Sequence, residues 1–304
     1  MTIIAQQRTS SILTDSPAPA GGSAGRPGTT AQVVASMTTA LAVLLLVFVA
    51  EMVLVGPVQH ARAQNTLYSQ FRTDLANAVA PTGGLGADGK PVPLGDPVAV
   101  MAIPSIGLKE VVAQGTTAEV LQHGPGHRRD SVLPGQAGTV VIYGRQATYG
   151  GPFRNIKNLH PGDPIAFVTG QGKTLYKVTG IRHQGDKATV VPGTARLTLV
   201  TAYGTPYLAQ QVIRVDAELV GDKLPTGASP AVSLATSEQP MKGDQSALLM
   251  LLLWSQLLLI LSLVLAWVRT VWGTWQSWIV AVPVLGAVAF KVAALVAQLL
   301  PNLL

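Results

Sequence analysis

The chain has 304 residues, of which 12% are charged and 48% hydrophobic, and its formal net charge is +6. That balance points to a membrane protein, and the positive charge is spread along the chain without a Lys/Arg run, so nucleic-acid binding is not expected. There is no cysteine, which excludes disulfides, thiolate metal sites and every cysteine nucleophile.

Residues 1–32, rich in Ser, Thr, Gly, Pro and Ala, offer too little apolar surface to offset the entropy of ordering and read as a disordered cytoplasmic tail. The stretch VVASMTTALAVLLLVFVAEMVLVGPV, residues 33–58, is long enough to span a bilayer as a helix, since about 20 residues cover about 30 Å of hydrocarbon. It lies behind a polar tail without a clear cleavage site after it, so it reads as an uncleaved anchor. Within residues 59–97, Leu67, Phe71, Leu75 and Val79 recur at helical spacing, predicting an amphipathic helix leaving the membrane and then a Gly-Pro linker.

From 98 to 220 the texture changes to short apolar runs broken by Gly, Pro and Asp: VAVMAIPSI, GTVVIYG, PIAFVTG, KTLYKVTGI, RLTLVTAYG and QQVIRVDAELV. Their length and β-branched content predict strands, hence a mainly β domain, a barrel or sandwich. IAFVTGQGKTLYKV reads as a hairpin, with Gly170 and Gly172 supplying positive φ. Residues 221–245 read as a flexible return to the membrane, and 246–268 and 278–300 as two further transmembrane helices, the last kinked at Pro283.

Arg8, Arg26 and Arg269 place the N-terminal tail and the connection between the last two helices in the cytoplasm. The β domain and the C-terminus are then extracytoplasmic. Glu51 and Lys291 are the only charges in the three spans. Counting about 1.5 Å per residue brings them to similar depths, where they either form an interhelical pair or reach the headgroups independently.

The ordered segments AIPSIGLKEVVAQGT, LQHGPGH, LPGQAGTVVIYGRQATYGGPF, LHPGDPIAF and LTLVTAYG, together with the upstream anchor and juxtamembrane helix, resemble a bacterial sortase, closest to the actinobacterial class E type. The resemblance implies a β-barrel in which a cysteine attacks a threonyl carbonyl of a sorting signal, a histidine handles protons and an arginine stabilises the oxyanion. Here Arg145 stands at the histidine position, and a guanidinium stays protonated. Ala202 stands at the cysteine position. The arginine position falls on Gln211, while Arg214, three residues on, is expected on the opposite sheet face.

Hydroxyl chemistry from Thr201, Tyr203 or Thr205 needs an adjacent base, which Arg145 is not. His123 and His127 lie in HGPGH, which is not a helix and offers no two-ligand face; His127 is read as structural or groove-lining, and His60, His160 and His183 as surface or turn residues. No metal and no cofactor are expected. The fold is retained while the chemistry is replaced, which predicts a non-catalytic sortase-like module at the cell envelope. It would bind a protein or peptide partner through a groove formed by Arg145, Thr201, Ala202, Gln211 and His127. Arg145 is the expected anchor for a carboxylate of that partner, unless Asp130 or Asp186 neutralises it internally. The alternatives are a cysteine-independent transpeptidase or hydrolase, and a structural subunit of a membrane complex.

Overall fold

A computed structural model describes residues 29–304 apart from 87, 187–192, 228–231 and 273; the expected N-terminal tail lies almost wholly outside the described residues. The chain divides into two units, Met1–Ala42 and Val43–Leu304. The described part of the first unit is the beginning of helix α1, Thr29–Ala50.

In the second unit α1 runs on through one π-helical turn, Glu51–Val55, into α2, Gly56–Ala76. Three segments are long and apolar enough to cross a membrane: Leu41–Ala76, Ala247–Arg269 and Trp275–Leu299. The latter two lie in α4, Ala247–Trp272, and α5, Thr274–Leu299. Pro283 lies inside α5 without ending it.

Eight strands close into a barrel in the order β1-β2-β3-β4-β7-β8-β6-β5. They are β1 Pro97–Ile103, β2 Leu108–Gln114, β3 Gly126–His127, β4 Gly138–Tyr143, β5 Pro164–Thr169, β6 Gly172–Arg182, β7 Ala195–Tyr203 and β8 Gln211–Val220. Alternation fills the interior with Met101, Ile103, Val140, Ile142, Phe167, Tyr176, Leu197, Leu199 and Val215 among others. Six strands match the apolar runs read from the sequence. β2 and the two-residue β3 have no such run: LKEVVAQ buries only its second half, and β3 is held between β2 and β4.

The β5–β6 hairpin forms with Thr169 opposite Gly172. Gly172 has φ +124°, as expected, whereas Gly170 is required for a different reason: a Cβ there would lie 2.8 Å from the carbonyl oxygens of Ala80 and Pro81. In the cluster that also holds Ala80, Leu67 and Phe71 of α2 pack against Val100, Val111 and Ala113. Gln64 ties that helix down, accepting from Val111 N at 2.7 Å and donating to His123 O at 2.8 Å.

Three expectations are corrected by packing. The return segment 221–245 is pinned in its described parts: Leu224 N donates to Gly135 O at 2.8 Å, and Glu238, buried, pairs with Arg129. This partner is 109 residues away in sequence, beyond any local pattern. Glu51 does not meet Lys291: the π turn buries Glu51, its carboxylate accepts from Gln59 at 3.1 Å, and Lys291 is exposed. His60 is likewise buried, with Nε2 3.1 Å from Glu110 Oε1.

Replacing Glu238 by Ala strips Arg129 of its partner and Ala235 N of its 3.2 Å acceptor. Removing a charged hydrogen-bond partner of this kind costs about 1–3 kcal/mol, so Glu238→Ala is expected to lower the thermal midpoint of the barrel, measured by circular dichroism on the full chain in detergent.

Candidate functional site

The helix α3, Ala118–His123, is capped by Thr117, whose hydroxyl accepts from Val120 N at 3.3 Å. It lies over the outer face of β4, β7 and β8, where Val141, Tyr143, Val200, Ala202 and Val212 form a second apolar cluster with Leu121 and Ala209. This is the groove in which the catalytic positions were expected.

Ala202 is on the groove face and 1% exposed. Arg145 follows β4 in a loop that Gly144 permits, since a Cβ at 144 would lie 2.5 Å from the Phe153 ring. The guanidinium is completely buried. Its Nη2 donates to Ala118 O at 2.9 Å and its Nη1 to the Thr148 hydroxyl at 3.0 Å, and the group stacks 5.0 Å from the Tyr149 ring centroid. Burial brings its pKa down to about 10, which leaves it charged at neutral pH. Neither Asp130 nor Asp186 neutralises it: Asp130 pairs with Arg128, and Asp186 accepts from His183 N at 2.7 Å.

What fills the groove is the chain itself. After α5 ends at Leu299, Pro301 turns the backbone inward, and Leu303 and Leu304 join the apolar cluster around Ala202. Asn302 is fully buried and directs its amide nitrogen at Thr116 O, Gln239 O and Ser237 O, at 2.9, 3.0 and 3.4 Å. Its N–H donates to Lys242 O at 3.0 Å, and Gln146 N donates to Leu303 O at 2.9 Å. The main-chain oxygen of Leu304 accepts from the Thr148 hydroxyl and from Arg145 Nη1 at 3.5 Å. Burying two leucines contributes about 3–6 kcal/mol and ordering four residues costs about 4–8 kcal/mol. The apolar contacts alone therefore leave the segment close to balance, and the polar contacts hold it.

Several sequence-predicted site residues lie elsewhere. Register pairs Ala202 with Val212 and Tyr203 with Gln211, and paired residues share a sheet face. Gln211 is therefore on the face opposite Ala202, exposed at the strand end, and Arg214, opposite Val200, is on the face of the groove. The expected assignment of these two is reversed, because the count along β8 was not anchored to its pairing. Thr201 also faces away, its hydroxyl donating to Gly144 O at 2.7 Å. His127 stands opposite Ile142, on the core side, with Nε2 donating to Val132 O at 2.9 Å and Nδ1 2.8 Å from the Gln114 amide. Sequence reasoning missed Gln146 and Thr148, which lie in the quoted segment around Arg145 but were given no role, and Asn302, which lies in no motif.

With this geometry in hand, comparison with known proteins is specific. The sortase domain family model matches residues 101–220. Sortase D of Bacillus subtilis is 29% identical over 113 residues, covering 36% of this chain and 56% of that protein. Sortase SrtE1 of Streptomyces coelicolor is 31% identical over 129 residues, covering 40% and 34%. The chain thus spans about half the length of the first of these relatives and a third of the second. Among solved structures, a Clostridium perfringens sortase D5 transpeptidase matches with TM-score 0.43 and 23% identity over 54% of this chain and 99% of its own. Sortase E1 of S. coelicolor with a tripeptide in its active site matches with TM-score 0.39 and 25% identity over 42% and 91%. Residues 101–220 are a sortase domain, with a class E-like type consistent with these relatives.

Burial brings the His127 pKa down from 6.5 to about 4. The folded state binds that proton more weakly than the unfolded chain, so stability rises with pH between about 4 and 6.5 and is level above. His127 alone contributes about 3 kcal/mol to this slope. Denaturant unfolding of the full chain across that range is expected to show the loss toward acid, reduced in His127→Asn.

Proposed function

We propose that this protein is a membrane-anchored, extracytoplasmic pseudo-sortase that binds a protein or peptide at the cell envelope without cutting it. The observation that supports this reading most directly is the composition of the groove. Ala202 has no lone pair with which to attack a carbonyl, and Arg145, buried and protonated, cannot take a proton.

A hydroxyl nucleophile is disfavoured on the same geometry: Thr201 faces away from the groove with its proton committed to Gly144 O, and Thr148, which does face it, has the protonated Arg145 rather than a base as its side-chain partner. The long apolar helices supply the anchor, and the distribution of Arg8, Arg26 and Arg269 supports a cytoplasmic N-terminus with the barrel outside.

Incubated with pentapeptide sorting signals, the full chain in detergent is expected to release and transfer nothing above the protein-free rate, and Ala202→Cys to do no better, since a lone thiol lacks its proton partner. Turnover by the unmodified chain contradicts the reading. Topology reporters fused at residue 20 and within 270–276 are expected to score cytoplasmic and one at 230 outside; an outside score at 270 overturns the three-span arrangement.

A further inference from the structure

We propose that the emptied catalytic groove is a binding site for a Pro-Asn-Leu-Leu turn, filled in cis by residues 301–304, where Leu304 N donates to Pro301 O at 3.2 Å, and open to the same segment supplied by another protein. This rests on the reading of the groove as a site that binds without cutting, and it names the ligand.

Three features of the groove define that ligand. Thr116 O, Ser237 O and Gln239 O converge on one side chain, and carbonyl oxygens only accept, so this position requires a short donor-bearing amide and rejects a carboxylate. Beyond it, Gln146 N and the Thr148–Arg145 pair take the next two main-chain oxygens, which the turn closed between Pro301 O and Leu304 N presents to them. The floor of Val200, Ala202, Val212, Leu121 and Ala209 takes two aliphatic side chains, and the small residue at 202 makes the floor deeper than a cysteine would.

The cis segment also leaves the site incompletely satisfied. Arg145 Nε, Gln146 Oε1, Tyr149 Oη and Asn302 Oδ1 are buried without a hydrogen-bond partner. Unmet polar atoms in a buried site weaken whatever occupies it. Combined with apolar contacts that only offset the cost of ordering, this makes the segment exchangeable rather than a permanent part of the core. A partner presenting Asn-Leu-Leu competes for the same contacts, and binding in trans is reduced by the fraction of time the cis segment is seated.

The absence of cysteine permits a direct test with Ala202→Cys as the sole thiol in the full-length chain. Its labelling by a small thiol reagent is expected to be slow, and at least tenfold faster when Leu303→Asp and Leu304→Asp unseat the segment. The capped hexapeptide Leu-Leu-Pro-Asn-Leu-Leu amide is expected to restore slow labelling to that variant, and the same peptide with Asp in place of Asn is not. If the double variant loses its thermal transition, Asn302→Asp replaces it. Fast labelling in the otherwise unaltered chain, no acceleration on unseating, or no protection by the peptide each overturns the proposal. Turnover of sorting-signal peptides would sink the non-catalytic reading separately, because it leaves the labelling rates untouched.

Discussion

A full positive charge sits out of water at Arg145, met among the described residues by main-chain and hydroxyl oxygens and a ring face rather than by an Asp or Glu side chain, and the surrounding architecture is bound together by that requirement. Removing a guanidinium from solvent costs several kcal/mol unless its donors are met. The partners that meet it come from far apart in the chain: Ala118 O is 27 residues away and Leu304 O 159 residues away. Tyr149 adds the face of its ring. Each of these meets part of the cation's requirement, so the loop after β4, the start of α3 and, while it is seated, the segment after α5 meet at one point.

The helices share in this. Tyr149 packs with Met52 of the π turn and Ala297 of α5, and a Cβ on Gly56 would lie 3.0 Å from the Tyr149 ring. A π turn adds a residue to the helix and re-aims the side chains beyond it, which here goes with the burial of Glu51 and Met52. The anchor at one end of the chain and the hairpin at the other therefore both pack against the loop that carries Arg145. In this arrangement the site of the replaced catalytic residues is a structural junction.

Where sequence reasoning succeeded, the signal was periodic or compositional. Apolar runs of β-branched residues marked six of the strands, the spacing of Leu67 and Phe71 marked the docking face of α2, and unbroken apolar stretches marked the long helices. It failed where a contact joins residues without a local pattern. Pro301–Leu304 is four residues at the end of an apolar run, indistinguishable in sequence from the frayed end of a helix, and its fit depends on carbonyls from two separate segments, at Thr116 and at Ser237, Gln239 and Lys242. The Gln211 and Arg214 faces depended on register, which a shift of one residue inverts. The pinning of 221–245 depends on Glu238 meeting Arg129 across the fold, and composition alone reads that segment as a linker.

Amide hydrogen exchange at Gln146 tests most directly whether the groove is closed by the chain's own segment, because this N–H has Leu303 O as its acceptor. In the isotopically labelled full chain, Gln146 is predicted to exchange far more slowly than an exposed loop amide, and to lose that protection when residues 301–304 are unseated while β4 and β7 amides keep theirs. Exchange of Gln146 at the rate of an open loop in the intact chain would contradict it.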